Sequence, residues 1–173
     1  SMLAAHDSDE AAKFLQRGLD TLKAIGRDQS WQGAESRVSL ASIALRRGDD
    51  VTAERLAREI LAIEHEQSER MDVRLAQAKK VLGEVLLQRG EFAPAEPLLL
   101  ESFEALEPRA SLPQFRINGL ELLAKLYEAW DAAEPGQGHD QQAKRWRDAQ
   151  QQQQQSGHSE PAPEDESSRI TPH

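Results

Sequence analysis

The chain has 173 residues, with 21 Lys and Arg against 30 Asp and Glu and a formal charge of −9, which fits one domain and a tail. The acidic surplus would repel a phosphate backbone, so nucleic acid is not an expected partner. No apolar run approaches the roughly 20 residues of a membrane helix either, so no membrane partner is expected. The absence of cysteine excludes disulfide scaffolds, thiolate zinc sites and cysteine nucleophiles together.

In chain order, residues 1–7 open on Ser1 and Met2, which look like a processing scar, and are expected to be flexible. There is neither a basic start nor an apolar stretch of signal type, and the expected location is cytoplasmic. Apolar spacings of three and four residues predict an unpaired helix over 8–25. Helix pairs follow at 31–47 with 50–66, 70–89 with 92–107, and 112–130 with 139–153. Ser30, Asp50 and Ser111 stand where N-caps are needed, and Gly26, Gly48 and Gly90 where helices stop. Pro94 and Pro97 fall near the start of their helix, Pro97 less comfortably. The run Gln150 to Gln155 can extend the last helix, since Gln is a fair helix former. Residues 156–173, rich in Pro, Ser and acid, are expected to be a disordered tail. No alternating β-type run appears, so an all-α domain over 8–155 is expected.

A period of 42 organises these helices. Ala11, Ala53 and Ala95 recur at that spacing, as do Phe14, Leu56 and Leu98, and Leu19, Leu61 and Phe103. Leu40 with Leu82, Ala41 with Gly83, Leu45 with Leu87 and Gly48 with Gly90 mark the preceding helix of each unit. A third copy, one residue short, places Leu123, Ala124 and Tyr127 where Leu82, Gly83 and Leu86 stand. Helix pairs of this kind cannot hide their apolar stripes alone, so neighbours must stack over one elongated core. The small residues at 41, 53, 83 and 95 are expected to let helices approach closely.

The string Leu82, Gly83, Leu86, Gly90, Phe92, Ala95, with Pro108 near the closing position, resembles the tetratricopeptide repeat. The 42-residue unit is similar to the longer variant of kinesin light chains and many bacterial regulators. That resemblance implies a right-handed α-solenoid of about seven helices in antiparallel pairs, whose concave face binds peptides or proteins. A narrower stretch, Ala95 to Ser102 with Leu126 to Trp130 and Ala143 to Arg147, resembles the C-terminal repeat region of bacterial serine/threonine protein kinases. No kinase chemistry accompanies it, because the Gly-rich loop, the His-Arg-Asp loop and the Asp-Phe-Gly triplet are all absent.

Other constellations favour structural roles. His65, Glu66 and Glu69 imitate the start of a zinc-protease helix but put Glu where the second histidine must stand. The five histidines are scattered, and Gly136, Gln137, Gly138 lacks the strand that a phosphate cradle requires. No metal site, cofactor or catalytic set is expected, and the chain is read as a non-enzyme. Trp31, Trp130 and Trp146 fall near helix ends, where packing is their ordinary role. Arg46, Arg47 and Arg89 sit where basic groups complement a helix dipole.

The resemblance assigns the concave face to the first helix of each pair. It then carries Glu35, Val38, Ser42, Leu45 and Arg46; Gln77, Lys80, Glu84, Leu87 and Gln88; and Asn118, Glu121, Lys125 and Glu128. Val38, Leu45 and Leu87 are the expected apolar anchors, with Lys80 and its polar neighbours setting register. The Lys and Asn ladder that grips chaperone tails is met only at Lys80. Val38 and Glu121 take the other lysine places, and Ser42 and Glu84 stand where Asn would be, which disfavours that partner. The expected function is binding of a peptide or protein. The alternatives are a regulatory domain that senses a small peptide or metabolite in the groove, or packing of this face on another copy as a homo-oligomer or on another domain.

Overall fold

Short polar turns between strongly periodic segments leave the chain little choice but antiparallel helices, and the structure, a computed structural model, follows that logic. It describes residues 2–63, 68–109 and 113–156. These form α1 (Met2–Ala24), α2 (Trp31–Arg46), α3 (Asp50–Leu61), α4 (Glu69–Gln88), α5 (Phe92–Leu106), α6 (Pro113–Ala133) and α7 (His139–Ser156). A 3-10 turn at Glu107–Arg109 follows α5, and there is no strand among the described residues.

The helix ends obey local chemistry. Gly48 (φ 74°) and Gly90 (φ 75°) hold the left-handed conformation that stops α2 and α4. At each stop two amides fold back: Gly48 N to Leu45 O with Asp49 N to Ala44 O, and Gly90 N to Leu87 O with Glu91 N to Leu86 O. Ser30 caps α2 by accepting from Gly33 N, as expected. The cap of α3 is Asp49, which accepts from Thr52 N at 3.1 Å, and Asp50 is instead the first helical residue. Ser68 caps α4 by accepting from Met71 N, a cap not foreseen.

Four helix bounds differ from expectation by three residues or more. α1 reaches back to Met2, and α6 continues to Ala133. α3 stops at Leu61, where the Ala62 amide closes on Arg58 O, and the residues 64–66 assigned to that helix lie outside the described set. So do the Ser111 cap, the His65–Glu66 pair and the tail from 157 onward. Pro97 lies inside α5, where the ring is exposed and the carbonyl it leaves unbonded is that of Ala93. α7 runs through the glutamines to Ser156.

The α4–α5 seam shows how the pairs are built. Lys79 of α4 bonds Glu101 of α5 at 2.5 Å, while one turn further on Gly83 meets Leu99 and the carbonyl of Ala95. Contacts that descend α5 as they climb α4 make the two helices antiparallel. A Cβ built on Gly83 would lie 2.6 Å from Leu99, so glycine is what permits this approach. The α2–α3 pair repeats the arrangement forty-two residues earlier, with Arg37 bonded to Glu59 at 3.3 Å. Gly119 performs a similar service between α6 and Phe103 of α5.

One buried cluster runs through α2 to α7, from Ala41, Ala53, Leu56 and Ile60 through Val85, Ala95 and Leu99 to Leu123, Leu126 and Tyr127. α4 packs closely on α2, α3 and α5, whereas α6 has its main contacts with α5 and α7. Within α1, Leu19 alone among the described side chains is buried. No described helix is long and apolar enough to cross a membrane.

Candidate interaction surface

Between α4 and α6 the backbone separation that α6 keeps from α4 opens a depression of about 200 Å³. It is lined by Lys80, Glu84, Asn118, Glu121, Leu122 and Lys125. Five of these were expected from sequence. Lys80 and Glu84 approach to 3.5 Å on one wall, and Lys125 bonds Glu121 at 2.7 Å on the other. The hydrogen bond and the positive charge from Lys125 hold the Glu121 carboxyl below the usual carboxylate range. Asn118 accepts from Gln114 at 2.7 Å. The wall charges therefore alternate in sign along both helices, suited to polar groups spaced along an extended chain.

Leu122 was missed by sequence reading, although its spacing of four from Asn118 and three from Lys125 places it on their face. Together with Lys80 it also lines a second, apolar cavity of about 90 Å³, walled by Leu99, Phe103, Leu106 and Phe115. Phe115 is 65% exposed at this cavity. Nothing in the helical period announces that space, because it depends on how far α6 stands from α4.

The remaining expected residues scatter. Val38 is 9% exposed and belongs to the core, so it is not an available anchor. α2 is covered by both α3 and α4, and its apolar stripe is correspondingly wide. Leu45 and Leu87 are half-buried against the same core. Glu35 accepts from Arg74 of α4 at 2.8 Å, and Arg74 also donates to Gln77 at 2.7 Å, so these three bind α2 to α4. Ser42 is half-buried, while Arg46 and Gln88 are exposed near the ends of their helices. Glu128 faces α7, where Arg147 bonds it at 2.5 Å.

Arg47, Arg89 and the tryptophans have structural partners. Arg47 at the end of α2 bonds Asp9 of α1, and Arg89 at the end of α4 bonds Glu54 of α3 at 2.6 Å. Trp31 lies under the Arg70 guanidinium, and Trp146 meets Phe103 edge-on at 5.9 Å. Trp130 stacks on His139 at 4.1 Å and on Phe92 and Tyr127 at greater distance. His139 is the one histidine whose side chain is described, and no group of acids and histidines able to hold a metal forms among the described residues.

The insertion before α7 builds a further hollow of about 490 Å³. Gln137, Gly138 and His139 form its edge against Glu96, Tyr127 and Trp146. The buried Tyr127 hydroxyl donates to Glu96, and burial followed by that carboxylate pushes its pKa well above the usual phenol value.

No protein-family model, curated protein or solved structure matches this chain.

Proposed function

We propose that this chain is a non-enzymatic interaction module that binds a peptide or protein segment in the α4–α6 depression, as part of a short right-handed solenoid of tetratricopeptide type. The observation that carries the binding site is the convergence of Lys80, Glu84, Asn118, Glu121 and Lys125 from two helices on one hollow that shares Leu122 with an apolar cavity. An extended ligand gains from both parts: alternating charges align its polar groups, and the cavity accepts one apolar side chain. The repeat reading draws on ion pairs that recur at the sequence period, Arg37 with Glu59 and Lys79 with Glu101. The kinase-end resemblance adds a setting for such a module and no chemistry.

The test is selection from a displayed random peptide library, followed by anisotropy titration of the selected peptides. Lys80→Glu combined with Lys125→Glu is expected to weaken binding at least tenfold while helicity and melting stay close to the parent. Peptides that bind the double variant equally well, or a library that yields no binder, count against the reading.

A second reading, a small-ligand sensor, draws on the hollow beneath the insertion, whose Tyr127 and His139 both stack on Trp130. Glu104 also lines that hollow, and a metabolite that raises the melting temperature, with the gain lost in Glu104→Lys, would favour it over the peptide site.

A further inference from the structure

The second helices of successive units share a sequence register but not a fate. In α3, Ala53, Ala57 and Ile60 are 0% exposed and Leu56 is 5% exposed. In α5, Ala95, Leu99 and Ser102 are 0%, 2% and 2% exposed. Their counterparts in α1 at the period of 42 are Ala11, Phe14, Leu15 and Gly18. Of these Ala11, Phe14 and Gly18 are exposed, Phe14 by 73%, and a Cβ at Gly18 would meet no atom within 4 Å. Ile25, 62% exposed, continues the same spacing just past the helix end. α1 turns a different stripe to α2, the one that carries the buried Leu19.

The exposed stripe is thus a helix-binding face whose internal equivalents show the cover it takes. Ala95 and Leu99 are covered by an antiparallel helix, α4, brought close by a small residue, and α2 stands in the same relation to α3. We infer that a second copy of this chain covers the α1 stripe, the two α1 helices pairing antiparallel about a two-fold axis.

The stripe is complementary to itself in that orientation. Ala11 and Phe14 lie one turn apart, small beside large, so an axis passing between them sets each Phe14 over the second copy's Ala11. The same register brings Glu10 opposite the second copy's Arg17, and the two-fold axis makes that pairing twice. Sliding the pair by two helical turns to set Phe14 over Gly18 brings Arg17 against Arg17. A parallel pairing stacks Phe14 on Phe14 and leaves the alanines facing each other. Only the antiparallel register centred between Ala11 and Phe14 satisfies both shape and charge. This surface is separate from the α4–α6 depression and stands or falls without it.

Sedimentation of the full chain from low to high micromolar concentration tests the inference. A reversible dimer is expected, and Phe14→Glu should be monomeric throughout with helicity unchanged, since that side chain is largely exposed. Ala11→Arg repeats the test should Phe14→Glu lose helicity. Glu10→Arg and Arg17→Glu alone should each weaken the dimer roughly fivefold, because each sets like charges opposite. Mixed together they should form a heterodimer of parental strength. A parent that stays monomeric at high micromolar concentration, a dimer unaffected by both Phe14→Glu and Ala11→Arg, or a mixture that recovers nothing would overturn it.

Discussion

Lys79 bonds Glu101 across the α4–α5 seam at the position where, forty-two residues earlier, Arg37 bonds Glu59 across the α2–α3 seam. Side-chain partners that recur at the sequence period show that the two seams share an alignment, with the same faces of both helices turned toward each other. The bonds themselves are partly solvated and stabilise little, each on the order of 1 kcal/mol or less. Lys79→Ala should accordingly lower the urea midpoint only slightly.

Gly83 is a different matter. Any side chain there enters the space held by Leu99, so Gly83→Val should destabilise by about 1–3 kcal/mol or more through overpacking. Gly18→Ala is the contrast, since its site is open and alanine is the better helix former by about 1 kcal/mol. Thermal melts of the two variants should move in opposite directions.

Leu126 is 0% exposed between α6 and its neighbours. Leu126→Ala removes most of that side chain and leaves a void, with an expected loss of about 2–5 kcal/mol in denaturant unfolding. Exposed Phe115, by comparison, should tolerate alanine with a change under about 1 kcal/mol while losing any ligand that uses the adjacent cavity.

Acid should weaken the fold through identifiable carboxylates. Hydrogen bonds from Arg89 and then Arg58 lower the Glu54 pKa, and the capping bonds to Thr52 lower that of Asp49. A folded pKa below the unfolded one contributes stability that is fully present above the unfolded value, near 4, and is lost as pH falls through the folded value. Unfolding midpoints should therefore hold steady from about pH 7 to 5 and drop below about pH 4. Glu54→Gln should be less stable at neutral pH and show a shallower acid dependence. An acid dependence equal to that of the parent would count against the Arg89–Glu54 link between α4 and α3.

Helices, stops and register were legible in the sequence because each is decided by neighbours along the chain. Gly48 and Gly90 end helices through their own backbone freedom, Ser30 caps through its own hydroxyl, and apolar spacing names the inward face of α3 and α5, though not that of α1. The cap of α3 moved by one residue, from Asp50 to Asp49, since adjacent acids differ only in which one the turn leaves outside the helix. The candidate site was legible in part. Lys80, Glu84, Asn118, Glu121 and Lys125, expected from the repeat resemblance, line one depression, and tertiary packing placed the other expected residues elsewhere.

What only the tertiary structure decided is distance. Val38 became core because α3 and α4 both close on α2, and Glu128 was drawn to α7 by Arg147. The hollow beside Leu122 exists because α6 rests on α5 and stands off from α4. Periodicity along a helix records which side avoids water. The gap between two helices is set by the volumes of side chains that meet from remote parts of the chain, and no local pattern carries that sum.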